Sequence, residues 1–127
     1  MAIVGHGVDL VETARIRRML ADHGQHFLDR CFTPAEQAYC NARSRRSVEH
    51  LAGRFAAKEA ILKVLGTGWS GGIAWTDIQI TNQLSGQPIV ELTGLCRKIA
   101  AERGIRAWHI SISHIETHAI ASAIGEG

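Results

Sequence analysis

The sequence has no apolar run long enough to cross a membrane, and no basic N-terminal segment leading into an apolar core. The expectation is a soluble, cytoplasmic chain with no membrane attachment. Cysteine is scarce. Cys31, Cys40 and Cys96 are odd in number and widely separated, with no CxxC and no histidine pair at metal-ligand spacing. That argues against a disulfide framework or a zinc site, and for buried free thiols in a reducing compartment. One-sided charge is lacking too: the net charge is +2 with histidine neutral and the pI is about 8.6, too balanced to mark a nucleic-acid binder. No repeat, low-complexity tract or linker divides the chain. Its 127 residues, 46% of them hydrophobic, read as one domain over 1–127 with a core of its own.

What charge there is comes in clusters. Arg15, Arg17 and Arg18 fall together, as do Arg43, Arg45 and Arg46, and such clusters suit acidic partners met at particular faces. The pattern of elements is mixed. Ala2 to Leu10 reads as a strand with close backbone approaches at Gly5 and Gly7. Glu12 to Leu20 reads as a helix, with Ile16, Met19 and Leu20 at helical spacing. Thr33-Pro34-Ala35-Glu36 has the form of a capping box with proline at the first helical position. Arg43 to Ser47 interrupts, and a long helix follows from Val48 to Leu65, stopped at Gly66. A glycine-rich loop carrying Trp69 comes next. Strands at Ile78–Thr81 and Ile89–Leu92 flank a Ser85-Gly86-Gln87-Pro88 turn. A helix from Thr93 to Arg103, capped by the threonine, precedes a hairpin of Trp108–Ser113 and Ala119–Ala123. The fold class is α+β, an antiparallel sheet packed with helices.

Four constellations could carry chemistry. In Gly5-His6-Gly7-Val8-Asp9, a carboxylate follows a strand whose glycines admit a close neighbour; Asp9 is either a hard oxygen ligand or a cap for the next helix. On the long helix, Glu59 and Lys63 share a face, with Lys58 adjacent; a carboxylate and an ammonium on a rigid element suit a metal and a phosphate. The plainer reading is a helix pair worth about 0.2–0.5 kcal/mol. Gly66-Thr67-Gly68 could offer backbone N–H groups to a phosphate, or could simply stop the helix. Ser111-Ile112-Ser113-His114 ends a strand with His114 free to enter a cleft; no nucleophile elbow accompanies it.

Taken in order along the chain, these residues resemble the holo-acyl-carrier-protein synthase type of phosphopantetheinyl transferase. The likeness runs through Gly7-Val8-Asp9, Arg15-Ile16, Phe27-Leu28-Asp29-Arg30, Thr33 and Glu36. It continues through Leu51 to Ala60, Lys63, Gly66-Thr67-Gly68, Asp77-Ile78, Gly86-x-Pro88 and Ser111-Ile112-Ser113-His114. The resemblance implies transfer of 4′-phosphopantetheine from coenzyme A to a serine of apo acyl carrier protein, in fatty acid biosynthesis, with release of adenosine 3′,5′-bisphosphate. It implies a catalytic set of Asp9, Glu59 and Lys63, with Asp9 and Glu59 holding Mg²⁺ and Glu59 the candidate base. Coenzyme A would meet Arg54, Lys58, Lys63, Gly66, Thr67, Gly68, Gly86, Pro88 and His114. Arg15, Met19 and Phe27 would form the docking face for the carrier protein. It also implies a homotrimer with active sites at subunit boundaries. Arg43, Arg45 and Arg46 receive no role from it. The alternative reading is a non-catalytic coenzyme A or nucleotide-binding module, which has no need of both Asp9 and Glu59.

Overall fold

A nineteen-residue helix is the axis on which everything else packs. In the computed structural model, which describes residues 2–68 and 71–127, the order is β1 (Ile3–Glu12), α1 (Thr13–His23), α2 (Gln25–Cys31), α3 (Pro34–Asn41) and α4 (Ser47–Leu65). Then come β2 (Ile78–Asn82), β3 (Pro88–Leu92), α5 (Gly94–Glu102), β4 (Ala107–His114) and β5 (His118–Glu126). Short 3₁₀ turns occupy Ser44–Arg46 and Trp75–Asp77. Trp69, expected in the glycine-rich loop, lies outside the described residues.

Helix α4 is apolar around most of its circumference, which is the pattern of a helix buried on all sides. From Leu51 to Leu65 every residue is buried except Glu59 and Lys63. Gly66 ends it at φ 76°, its N–H donating to Leu62 O, as the sequence predicts. One side of α4 carries an antiparallel sheet of order β1-β5-β4, built with small residues where it meets the helix. Gly7 is required there, since a Cβ at this position would stand 2.2 Å from Ala60 O and 3.1 Å from Lys63 Cβ. Ala119, Ala121 and Ala123 of β5 are buried in the same layer. The opposite sheet face carries exposed Val8, Leu10 and Ile120, with Leu10 and Ile120 paired across the strands.

The α+β class is as expected, with one difference. The strands form two sheets rather than one, β2 and β3 making a separate antiparallel hairpin. The capping box forms: Glu36 N–H donates to Thr33 Oγ1 and Thr33 N–H to Glu36 Oε1. Thr93, expected to cap α5, makes no side-chain cap bond; its N–H and hydroxyl both go to Asp77 O. Helix α2 has no counterpart in the sequence reading. It is only seven residues long and is separated from α1 by Gly24 at φ 53°, too little chain to show a period.

Candidate active site

Glu59 and Lys63 are one helical turn apart at the solvent window of α4, and the close approach at Gly7 brings Asp9 to the same place. Asp9 is two residues beyond Gly7, on the same face of β1. Lys63 Nζ donates to Val8 O at 2.7 Å and lies 3.3 Å from Asp9 Oδ1, with Lys63 55% and Asp9 19% exposed. The structure therefore joins Asp9, which lies within β1 rather than at its end, to Lys63 of the helical Glu-Lys pair. Gly66, Thr67 and Gly68 follow at the C-terminal end of the same helix. Arg103, read in the sequence only as the end of a helix, donates from Nη1 to Leu65 O at 2.8 Å, tying the end of α4 to the end of α5. A Cβ on Gly66 would stand 2.8 Å from that same nitrogen, a second reason for glycine there.

Arg54, Gly86, Pro88 and His114 converge elsewhere, around a cavity of about 160 Å³ between α4, the β2–β3 turn and the end of β4. Arg54 is 3% exposed and donates from Nη2 to Asn82 Oδ1, while its Nε is buried without a partner among the described residues. Asn82 Nδ2 in turn donates to Gly86 O at 2.9 Å. His114 Nδ1 is 2.7 Å from Glu49 Oε1, and its ring stacks edge-on with His50 at 4.8 Å. Burial, reinforced by the nearby His114, Arg54 and Arg43, pushes His50 down to about 4. Sequence reasoning missed Tyr39, His50 and Asn82, which come from three elements and form no motif. Arg45 and Arg46, with Arg17, line a wide depression beside His114.

Lys58 corrects the expectation of a phosphate contact. It is 0% exposed, and its ammonium meets Glu36 Oε1 at 2.7 Å, Ile78 O at 2.7 Å, Cys31 O at 2.9 Å and Trp75 O at 3.1 Å. Burial lowers its pKa, opposed by the Glu36 carboxylate beside it. Glu36 Oε2 accepts from Ile80 N, so the pair joins α2, α3, α4 and β2 inside the core. The signal was present: Phe55, Ile61 and Leu62, three of its four neighbours at i±3 and i±4, are apolar, Arg54 being the fourth.

The expected docking residues meet at a groove of about 360 Å³ between α1, α2 and α4. Arg15 lies over the Phe55 ring at 5.0 Å, and Phe55 stacks on Trp75 at 4.6 Å. Met19 is partly buried there. Phe27 is 3% exposed, so it supports the groove from the core rather than projecting from its surface.

A family model described as the 4′-phosphopantetheinyl transferase superfamily matches residues 5–123. The chain belongs to that superfamily. It is 50% identical to a holo-[acyl-carrier-protein] synthase of Desulforudis audaxviator over 125 residues, 98% of this chain and 94% of that protein. The crystal structure of the Neisseria meningitidis holo-[acyl-carrier-protein] synthase aligns at TM-score 0.88 and 34% identity, covering 99% of this chain and 100% of that one. That of the Helicobacter pylori synthase, in complex with coenzyme A, aligns at TM-score 0.83 and 29% identity, covering 96% and 100%. The chain is accordingly an enzyme, a phosphopantetheinyl transferase of the holo-[acyl-carrier-protein] synthase type.

Two features of this transferase bear on its chemistry. Among the described residues no three histidine, cysteine or acidic side chains cluster at metal-binding geometry, so any cation at the window would have Asp9 and Glu59 as its expected protein ligands. Two carboxylates would suffice for Mg²⁺, which dehydrates reluctantly and seldom takes an all-protein cage. Second, Arg54 and Lys63 are nine residues apart, about 180° around α4 and roughly 13 Å along it. Arg54 and Lys63 thus lie on opposite sides of one helix.

Proposed function

We propose that the enzyme transfers 4′-phosphopantetheine from coenzyme A to a serine hydroxyl of apo acyl carrier protein, with Mg²⁺, releasing adenosine 3′,5′-bisphosphate. The observation that carries this reading is the window of α4, where Lys63 meets Asp9 one helical turn from Glu59 on an otherwise buried helix. Asp9 and Glu59 would hold the cation, which supplies charge neutralisation at the pyrophosphate as the bridging bond breaks. Lys63, long and half-exposed, reaches the same pyrophosphate as a point charge. The serine oxygen attacks the phosphorus that bears pantetheine, and the bond to the adenosine-side phosphate breaks. The serine proton passes to Glu59, a carboxylate fixed on a rigid element beside the reacting phosphate. The backbone of Gly66, Thr67 and Gly68 borders the nucleotide. Arg54 and His114 engage a further phosphate against Gly86 and Pro88, and the unpaired Arg54 Nε is a donor already waiting for it.

Because Arg54 and Lys63 face away from each other on α4, one coenzyme A molecule completes its contacts between two chains. The exposed Val8, Leu10 and Ile120 of the sheet supply an apolar surface for such an assembly, which we take to be a homotrimer. Arg15 and Met19 at the α1 groove offer an acidic carrier protein one cation and one apolar contact. Buried thiols, with Cys40 and Cys96 raised to about 11 by burial, suit the cytoplasm. Mass spectrometry of apo acyl carrier protein incubated with coenzyme A and Mg²⁺ tests the reading. The expected result is a mass gain of one phosphopantetheine group, abolished by EDTA. No gain with any apo carrier protein would leave a binding module.

A further inference from the structure

An aromatic ring beside a nucleotide cavity invites assignment as a platform for the base, but Tyr39 has no face to give. The guanidinium carbon of Arg43 stands 3.9 Å from its centroid and that of Arg54 stands 4.1 Å. Two planar cations so close to one centroid overlap unless they take opposite faces, so the ring is held between them. The phenol lies at the cavity wall, with His50 against it edge-on at 5.6 Å. Arg43 is exposed and Arg54 is buried, so the sandwich runs from solvent to the cavity.

The consequence falls on Arg54. Its guanidinium plane is set by the Tyr39 face, and its rotation within that plane by the bond to Asn82, itself anchored on Gly86 O. Nε is left buried with no acceptor among the described residues. A guanidinium fixed on two sides and unsatisfied on the third selects a tetrahedral oxyanion by position, since no rearrangement of the arginine is needed on binding. His114 lines the same cavity, and Arg43 adds a cation on the other face of Tyr39. We propose that Tyr39, clamped by Arg43, is a positioning residue for Arg54, and that the clamp confers preference for a donor bearing a terminal phosphate monoester over the same donor without it. The proposal rests on coenzyme A being the donor, and it gives Arg43 a role.

The test compares coenzyme A with 3′-dephospho-coenzyme A at saturating carrier protein, in the parent and three variants. Tyr39→Leu removes the ring, and the KM for coenzyme A should rise about tenfold while that for the dephospho form stays within about twofold. Tyr39→Phe keeps both faces and should restore the parental ratio of the two KM values. Arg43→Met, an exposed change that does not threaten folding, should cut the ratio about threefold. A parental ratio in Arg43→Met, or equal loss with both donors in Tyr39→Leu, overturns the proposal; should Tyr39→Leu not fold, Arg43→Met decides alone. A failure to restore the ratio in Tyr39→Phe also overturns it, because the hydroxyl rather than the ring would then matter. If the parent itself transfers nothing from coenzyme A, the functional reading fails first.

Discussion

Lys58 and Lys63 are five residues apart on one helix and have nothing else in common. Lys58 is fully buried, with its ammonium among four oxygens from four segments of the chain. Lys63 is half-exposed, held by one backbone carbonyl and a long contact to Asp9. The first cannot leave its place without stranding a buried carboxylate, which costs several kcal/mol. The second can move to a ligand at little cost, because water already shares its solvation. A phosphate-binding lysine needs that freedom and a structural lysine must lack it, so the helix face on which each falls decides its work.

The comparison breaks most sharply at the window. Asp9→Ala removes one of two carboxylates proposed to share Mg²⁺, and should lower transfer by roughly 10²–10³-fold while the melting temperature stays near that of the parent. The fold survives because Asp9 sits at the solvent window beside α4, partly exposed, and its ion pair is with the half-exposed Lys63. A single-turnover assay with saturating coenzyme A and carrier protein reads the chemical step directly. Parental rates in that assay would remove Asp9 from the metal site.

Lys58→Met should show the reverse pattern. Stability should fall by about 3–5 kcal/mol, measured by urea denaturation, because the buried Glu36 carboxyl would lose its only ion-pair partner among the described residues. The protein that stays folded should keep a KM for coenzyme A within about twofold of the parent, since an ammonium with no exposure touches no substrate. Adding Glu36→Leu should recover only part of the loss. An isolated ion pair can often be exchanged for apolar residues, but this one also serves Thr33 N–H, Ile80 N–H and the Cys31, Trp75 and Ile78 carbonyls. Full recovery in the double variant would show that those backbone groups find other partners.

The sequence exposes local rules and hides what distant segments bring together. The αL stop at Gly66, the Thr33–Glu36 capping box and the β4–β5 hairpin all follow from residues close in the chain, and all are present. So does the glycine approach at Gly7 that carries Asp9 to α4. Lys58 was misplaced because its motif drew attention to its charge, although its apolar helical neighbours predict burial. The clamp around Arg54 gave no signal, since Tyr39, His50 and Asn82 belong to α3, α4 and β2 and meet only once the core has formed. Likewise, the opposition of Arg54 and Lys63 across α4 emerges only when the two are placed on one axis.

The smallest expected effect concerns His50, at the Tyr39 end of the Arg54 cavity. Burial, with His114, Arg54 and Arg43 nearby, lowers its pKa from 6.5 to about 4. In the native protein the ring therefore stays neutral down to about pH 4, whereas in the unfolded chain it takes up a proton near pH 6.5. The unfolded state binds more protons within that window, so stability rises with pH there and is lost as pH falls. The contribution is modest, because His50 is only partly buried and solvent screens its neighbours. His50→Gln has no proton to take up in either state. Its melting temperature should consequently decline less steeply than that of the parent between pH 6.5 and about 4. Scanning calorimetry of both proteins in matched buffers measures the difference in slope. Equal slopes would mean that His50 is solvated well enough to titrate alike in both states, and the cavity beside Arg54 would then be wetter than its packing implies.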